Sequence, residues 1–345
     1  MADDSYLRWL VRETPTSWWH DSAEPEELRR GLAHGATGVT TNPILSYQAL
    51  CSNPELRARA VQAVPSGAKP AERAEELMRH VVCNAAQMLQ PVYERMEGRQ
   101  GYVCAQVNPA KAADREAMLA MARRFHAWAP NIAVKLPATA AGLDVLEECA
   151  AEGITITATV SFNVPQVIAI AERYRHGLSR AQQAGHASGQ CFAVIMIGRL
   201  DDYLRDMALD GRVQVSESDI QQAGLAVTKR AHALYQERSY DATLIVAALR
   251  GTYHMTELAG AKLTMSIHPR YQALLLQHSV PRQTRIHLPV APEVIERLRR
   301  MPEFARSYEF DGMAAADFIS FGLTQRTLNQ FSETGWMLLE SFKLS

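Results

Sequence analysis

The chain has 345 residues, 47% hydrophobic and 21% charged, and a net charge of -1, which allows a large core and gives no electrostatic case for nucleic acid or an anionic membrane. No apolar run approaches the roughly 20 residues that span a bilayer, and the acidic start Met1-Ala-Asp-Asp4 lacks the apolar core of a signal peptide. The five cysteines (Cys51, Cys83, Cys104, Cys149, Cys191) are scattered and form no C-x-x-C pair, so a cytoplasmic protein with reduced thiols is expected, without a disulfide frame or zinc site.

Residues 1–12 set Leu7, Leu10 and Val11 on one helical face. Pro15 to Asp21 is a first strand candidate ending in a carboxylate. A charged helix (Pro25 to Leu32) and the turn Gly35 to Gly38 lead into a short second strand, Val39-Thr-Thr-Asn42, stopped by Pro43. Residues 46–97 read as an inserted run of helices. Tyr102 to Asn108 is a third strand stopped by Pro109, and Ala113 to Trp128 is helical. The fourth strand carries one lysine, in Asn131-Ile-Ala-Val-Lys135-Leu-Pro137.

On that strand Ile132, Val134 and Leu136 point one way and Ala133, Lys135 and Pro137 the other. An ammonium in such a run is costly unless paired, hydrated or neutral. Two readings stay open: a strand-end lysine reaching water, or a desolvated amine suited to attack on a sugar carbonyl.

A helix from Gly142 to Glu152 precedes a fifth strand, Ile154 to Phe162, and Pro165 to Arg175 is helical. Cys191 to Arg199 is the sixth strand, followed by helix to about Tyr235; Ala242 to Arg250 is the seventh. A short helix, Thr256 to Leu258, precedes the eighth, Lys262 to Pro269. Residues 270–345 read as further helices, with Phe304, Phe310, Phe318, Phe321 and Phe331 available to dock inward. Eight strand candidates, each followed by helix, imply right-handed crossovers in a parallel sheet. The expected fold is therefore α/β, a single (β/α)8 TIM barrel with extra helices at the N-terminus, after strand 2 and at the C-terminus. One domain over 1–345 is expected, its helical extension covering about 270–345.

The polar residues give the interior its character. Thr155, Thr157 and Thr159 lie opposite Ile154, Ile156, Ala158 and Val160; Cys104, Gln106 and Asn108 lie opposite Val103, Ala105 and Val107; Thr264 and Ser266 lie opposite Leu263, Met265 and Ile267. Helices cover the outside, so the polar sets face inward, either bonding neighbouring strands or lining a ligand cavity. Asp21, Asn42, Gln106, Lys135, Thr159, Arg199 and Arg250 fall at carboxyl ends of strands, the rim where active sites of such barrels sit. Arg199 and Arg250, on adjacent strands, suit one phosphate and would lower the lysine pKa, though Arg250 alone also reads as a solvated rim residue. His20, His254 and His268, near strand ends, read as structural or solvated.

The segments Trp19-His-Asp21, Gly38-Val-Thr-Thr-Asn42-Pro43, Val134-Lys-Leu-Pro-Ala-Thr139-Ala-Ala-Gly142-Leu and Gly153-Ile-Thr-Ile-Thr-Ala-Thr159 resemble those of the transaldolases, as do Gly198-Arg199, Arg250 to Gly260, and Asp311-Gly-Met with Phe318 and Phe321-Gly. The resemblance implies a (β/α)8 barrel, Schiff-base chemistry, no cofactor and no metal. It implies that Lys135 forms an imine with a ketose, Asp21 takes the C4 hydroxyl proton, and Thr159 holds a proton-relaying water. Gln106 stands where a glutamate serving that water is usual. Asn42 would hold a donor hydroxyl, and Arg199 and Arg250 the phosphate; Thr41, Thr157, Met196, Val194 and Ser266 complete the expected substrate site.

The departures are Gln106, an amide that cannot exchange protons at neutral pH, and Met196, where fructose 6-phosphate aldolases pair a tyrosine with glutamine. Val194 and Ala248 replace usual serines, so a more apolar pocket is expected. The leading expectation is transfer of a dihydroxyacetone unit between sugar phosphates, with release of free dihydroxyacetone as the alternative lyase reaction. A non-catalytic sugar-phosphate-binding barrel is the expectation of another class. Expected partners are small sugar phosphates, with no nucleic acid or membrane; the long C-terminal helices could build a homodimer.

Overall fold

The computed structural model describes residues 5–277 and 280–344; the acidic residues 1–4 lie outside the described residues. Eight strands close in sequence order, every neighbouring pair parallel. They are β1 (Ser17–His20), β2 (Gly38–Val39), β3 (Tyr102–Gln106), β4 (Ile132–Pro137), β5 (Ile156–Thr159), β6 (Cys191–Met196), β7 (Thr243–Ala247) and β8 (Thr264–Ile267). Helices separate them, as expected of a (β/α)8 barrel. Among the described residues no helix is long and apolar enough to cross a membrane.

The barrel interior has an aromatic floor. Trp19 and Tyr102 both pack edge-on against Phe192, with ring centroids 4.7 and 5.6 Å apart. Gly38 makes room for this floor, because a Cβ there would lie 2.5 Å from the Trp19 indole. Above the floor the inward positions turn polar: the Cys104 thiol donates to Thr157 Oγ1 at 3.5 Å, and Lys135, Thr159 and Ser266 stand closer to the rim. The even-numbered residues of β5 and their counterparts on β3 and β8 face the helices and are fully or almost fully buried.

Strands end earlier than hydropathy alone suggests. β6 stops at Met196, and the helix Ile197–Asp210 begins at once, so Arg199 lies in a first helical turn rather than on the strand. Gly198 permits this close start, since a Cβ would meet the Ala248 carbonyl oxygen at 2.3 Å. β5 and β7 are each ended by a left-handed residue, Val160 (φ 55°) and Ala248 (φ 57°). That conformation is unfavourable for a β-branched side chain. Gln166 braces the first turn, donating to the Val160 carbonyl and accepting from Phe162 N–H, both at 3.0 Å.

The insertion after β2 consists of helices Pro43–Ser52, Pro54–Ala63 and Pro70–Arg95, each with proline in its first turn. Asn42 and Asn53 cap the first two through their side-chain oxygens. Val164–Ala184 runs past Arg175, where its last turns become polar, to a left-handed C-cap at Gly185. Four of the five phenylalanines named for docking are buried, Phe304, Phe318, Phe321 and Phe331 being at most 3% exposed. Phe310 is not: it is 37% exposed and lies under the Arg238 guanidinium. Of the free cysteines, Cys104, Cys149 and Cys191 are buried, Cys83 is half-buried and Cys51 is exposed.

Candidate active site

A cavity of about 280 Å³ opens at the carboxyl ends of the strands. Lys135 enters it from β4 and is only 6% exposed. Its Nζ donates to the Thr41 carbonyl at 3.1 Å, which fixes the amine without a carboxylate in contact. Burial pushes the amine below the ordinary lysine range; Cys104 and Asp21 pull against that, and the Arg199 charge reinforces it. The lysine is thus desolvated rather than splayed into water.

Asp21, the residue after β1, faces the same cavity. Its backbone N–H donates to the Ile267 carbonyl at 3.1 Å, and its Oδ1 accepts from the Thr40 hydroxyl at 2.7 Å. Ser266 Oγ lies 2.6 Å from the same Thr40 oxygen. Since Thr40 gives its one proton to Asp21, Ser266 donates to Thr40, forming a chain of hydroxyls ending on the carboxylate. Asn42 lines the cavity too; its Oδ1 accepts from Leu45 N–H at 3.0 Å, so the amide NH2 is the group left for a ligand.

Thr159, Val194, Met196, Arg199 and Ser266 also line the cavity. Thr159 Oγ1 and Gln106 Oε1 are buried polar atoms without a protein partner. Gln106 pairs in register with Lys135 but does not itself border the cavity. Burial and the neighbouring Arg250 charge lower the Arg199 pKa to about 10. Its guanidinium donates to Gln330 Oε1 at 2.6 Å and rests 5.2 Å from the Phe331 ring centre.

Three expected substrate residues fall elsewhere. The Thr41 hydroxyl donates to the Cys104 carbonyl, so this residue serves the site through its backbone oxygen. Thr157 is fully buried and lies outside the cavity, beside Lys135 in the β4–β5 register. Arg250 lies just past β7 and is exposed, its Nε and Nη2 on Asp202 at 2.8 and 2.7 Å and its Nη1 on the Ala248 carbonyl. It does not contact the cavity and adds nothing to the lysine shift; only Arg199 does.

Conversely, Thr40, Gln48 and Ile44 border the cavity, though no motif or spacing in the sequence marks the last two. Strict alternation from Gly38 would have found Thr40. His268 is exposed, in keeping with the solvated or structural reading, and also borders the cavity; its Nδ1 accepts from Arg270 N–H at 3.2 Å. His20 and His254 are fully buried as structural residues. Among the described residues no group of three His, Cys, Asp or Glu side chains could hold a metal.

Fold and site define a (β/α)8-barrel protein whose rim cavity brings together a desolvated amine, a carboxylate and an arginine. The family model described as Transaldolase/Fructose-6-phosphate aldolase matches residues 18–333, and the chain belongs to that family. It is 30% identical over 232 residues to Transaldolase 1 of Streptomyces avermitilis, covering 64% of the chain and 61% of the relative. A transaldolase of Thiobacillus denitrificans is 30% identical over 248 residues (68% of each chain), and one of Thermobifida fusca 29% over 234 (64% and 62%). The chain thus spans about three fifths of the length of the first and third of these relatives.

Proposed function

We propose that the chain is a transaldolase, moving a dihydroxyacetone unit from a ketose phosphate to an aldose phosphate through a Schiff base on Lys135. The observation that carries this reading is the burial of the Lys135 amine, with its lowered pKa, in the cavity that Asp21 also faces. A neutral amine has the lone pair needed to attack the C2 carbonyl. The carbinolamine loses water to give a cationic imine, and the Asp21 carboxylate takes the C4 hydroxyl proton as the C3–C4 bond breaks. That electron pair moves into the iminium, leaving an enamine on Lys135 and a free aldose; an incoming aldehyde reverses the steps. Asn42 and Ser266 would hold the donor hydroxyls, and Arg199 the phosphate.

A second reading is release of free dihydroxyacetone, which needs a proton on the enamine and a water on the resulting imine; Gln106, in register with Lys135, has an unpartnered amide oxygen that can orient that water, the proton coming from elsewhere. Val194 and Met196 of β6 and Ala247 of β7 give one wall of the cavity an apolar surface. Incubating fructose 6-phosphate with and without erythrose 4-phosphate separates the two. A transferase forms a seven-carbon ketose phosphate only with the acceptor and little product without it. Equal glyceraldehyde 3-phosphate and free dihydroxyacetone in both mixtures would establish the lyase instead.

A further inference from the structure

Behind the rim, Asp201 and His254 form a fully buried pair, each 0% exposed. Asp201 is on the helix that starts at Ile197, and His254 on the helix Thr252–Leu258. The Arg250 backbone N–H donates to His254 Nδ1 at 3.2 Å, so the ring proton resides on Nε2. Nε2 in turn donates to Asp201 Oδ2 at 2.9 Å, and Asp201 Oδ1 accepts from Gly224 N–H at 2.8 Å. Every polar atom of the pair is thereby used, and none points into the cavity. The Tyr253 ring packs against the imidazole with centroids 4.2 Å apart.

The pair sits against an unfavourable piece of backbone. Ala248 is left-handed (φ 57°), and its carbonyl accepts from Arg250 Nη1 at 2.8 Å. Asp202, the next residue on the helix, holds the Arg250 guanidinium. Consecutive aspartates therefore secure both ends of Arg250, Asp202 its side chain directly and Asp201 its peptide through His254. The same helix carries Arg199, so one helical turn ties the two rim arginines together.

We propose that Asp201 and His254 are positioning residues for the phosphate end of the site: by fixing one imidazole tautomer, the carboxylate locks the Arg250 peptide, from which the guanidinium reaches a bound phosphate when it exchanges Asp202 for the ligand. This rests on the reading of Arg199 as the phosphate ligand and adds Arg250, which lies outside the cavity while Asp202 holds it. A carboxylate that sets a histidine tautomer is a recurrent positioning device.

The test is an Asp201→Asn variant, which preserves volume. The amide cannot accept from Nε2–H while its oxygen stays on Gly224, so the ring proton shifts to Nδ1 and the Arg250 N–H loses its acceptor. Nitrogen-15 NMR of the imidazole is expected to show Nε2–H in the parent protein and Nδ1–H in the variant. The dissociation constant for inorganic phosphate, measured by calorimetry, is expected to rise about tenfold, one lost hydrogen bond. The KM for fructose 6-phosphate relative to that for fructose should rise by a similar factor, with kcat much less affected. A double variant, Asp201→Leu with His254→Phe, keeps an apolar core where the single variant folds poorly, and is expected to weaken phosphate binding equally.

Unaltered phosphate affinity in a folded variant would overturn the proposal, as would equal changes in KM for both sugars. Because the phosphate titration needs no turnover, it reads the pair even where the sugar assays reveal a different reaction.

Discussion

Much of the chemistry rests on single side chains held against their solution preferences. Lys135 loses hydration and gains one carbonyl, so its folded-state pKa lies below that of the unfolded chain. The unfolded state then binds more protons, and stability rises with pH through the interval between the two values. Lys135→Met is therefore expected to melt higher than the parent at pH 7, the difference shrinking as the pH approaches the ordinary lysine range; scanning calorimetry at several pH values checks this. Asp21→Asn is expected to lower turnover by roughly 10²–10⁴-fold, the range for losing a general base, while still accumulating imine. His20 has its pKa lowered to about 4, chiefly by burial, with Asp21 opposing. The fold favours its neutral form, so stability falls as pH drops from about 6.5 toward 4, by roughly 3 kcal/mol. Denaturant titrations of His20→Leu should show a smaller loss over that interval; an identical loss would exclude His20 as the source.

At the scale of elements, the rim is made where strands stop. Gly38 and Gly198 are both places where a side chain would collide, with the Trp19 indole and with the Ala248 carbonyl respectively. Gly38→Ala is expected to destabilise by about 1–3 kcal/mol, the cost of overpacking a filled core, read as a lower urea midpoint with unaltered slope. The polar rows on β3, β5 and β8 were legible because a buried strand alternates strictly, and the lysine strand was legible for the same reason. Thr41, expected at the substrate site, alternates away from it: its hydroxyl turns to Cys104 and Thr40 takes the cavity side. The Asp202–Arg250 ion pair joins residues 48 positions apart, and nothing in the spacing of either announces it. The buried Asp201–His254 pair was invisible for the same reason, since a lone histidine after a strand has no periodicity to betray its partner.

At the scale of the molecule, the C-terminal segment completes the site. Phe331, at the end of the helix Gly322–Phe331, borders the cavity and lies against Arg199. Further on, the Glu340 carbonyl accepts from Arg73 Nη1 at 3.0 Å, and Phe342 packs edge-on against Tyr47 at 5.9 Å, tying the tail to the helices inserted after β2. We propose that the chain is one cooperative unit: circular dichroism and the fluorescence of its five tryptophans, which reach from Trp9 to Trp336, should give superimposable thermal transitions. Two separated transitions would assign the tail to a unit of its own. The eight β–α alternations made the barrel legible in outline, but how far the tail reaches over the rim depends on contacts between segments hundreds of residues apart.

The most direct measurement is borohydride reduction in the presence of fructose 6-phosphate, with the adduct located by mass spectrometry. The expected result is a mass gain on the peptide containing Lys135 and none in Lys135→Ala. An adduct on another lysine, or none on the folded parent protein, would contradict the assignment of that buried amine as the nucleophile.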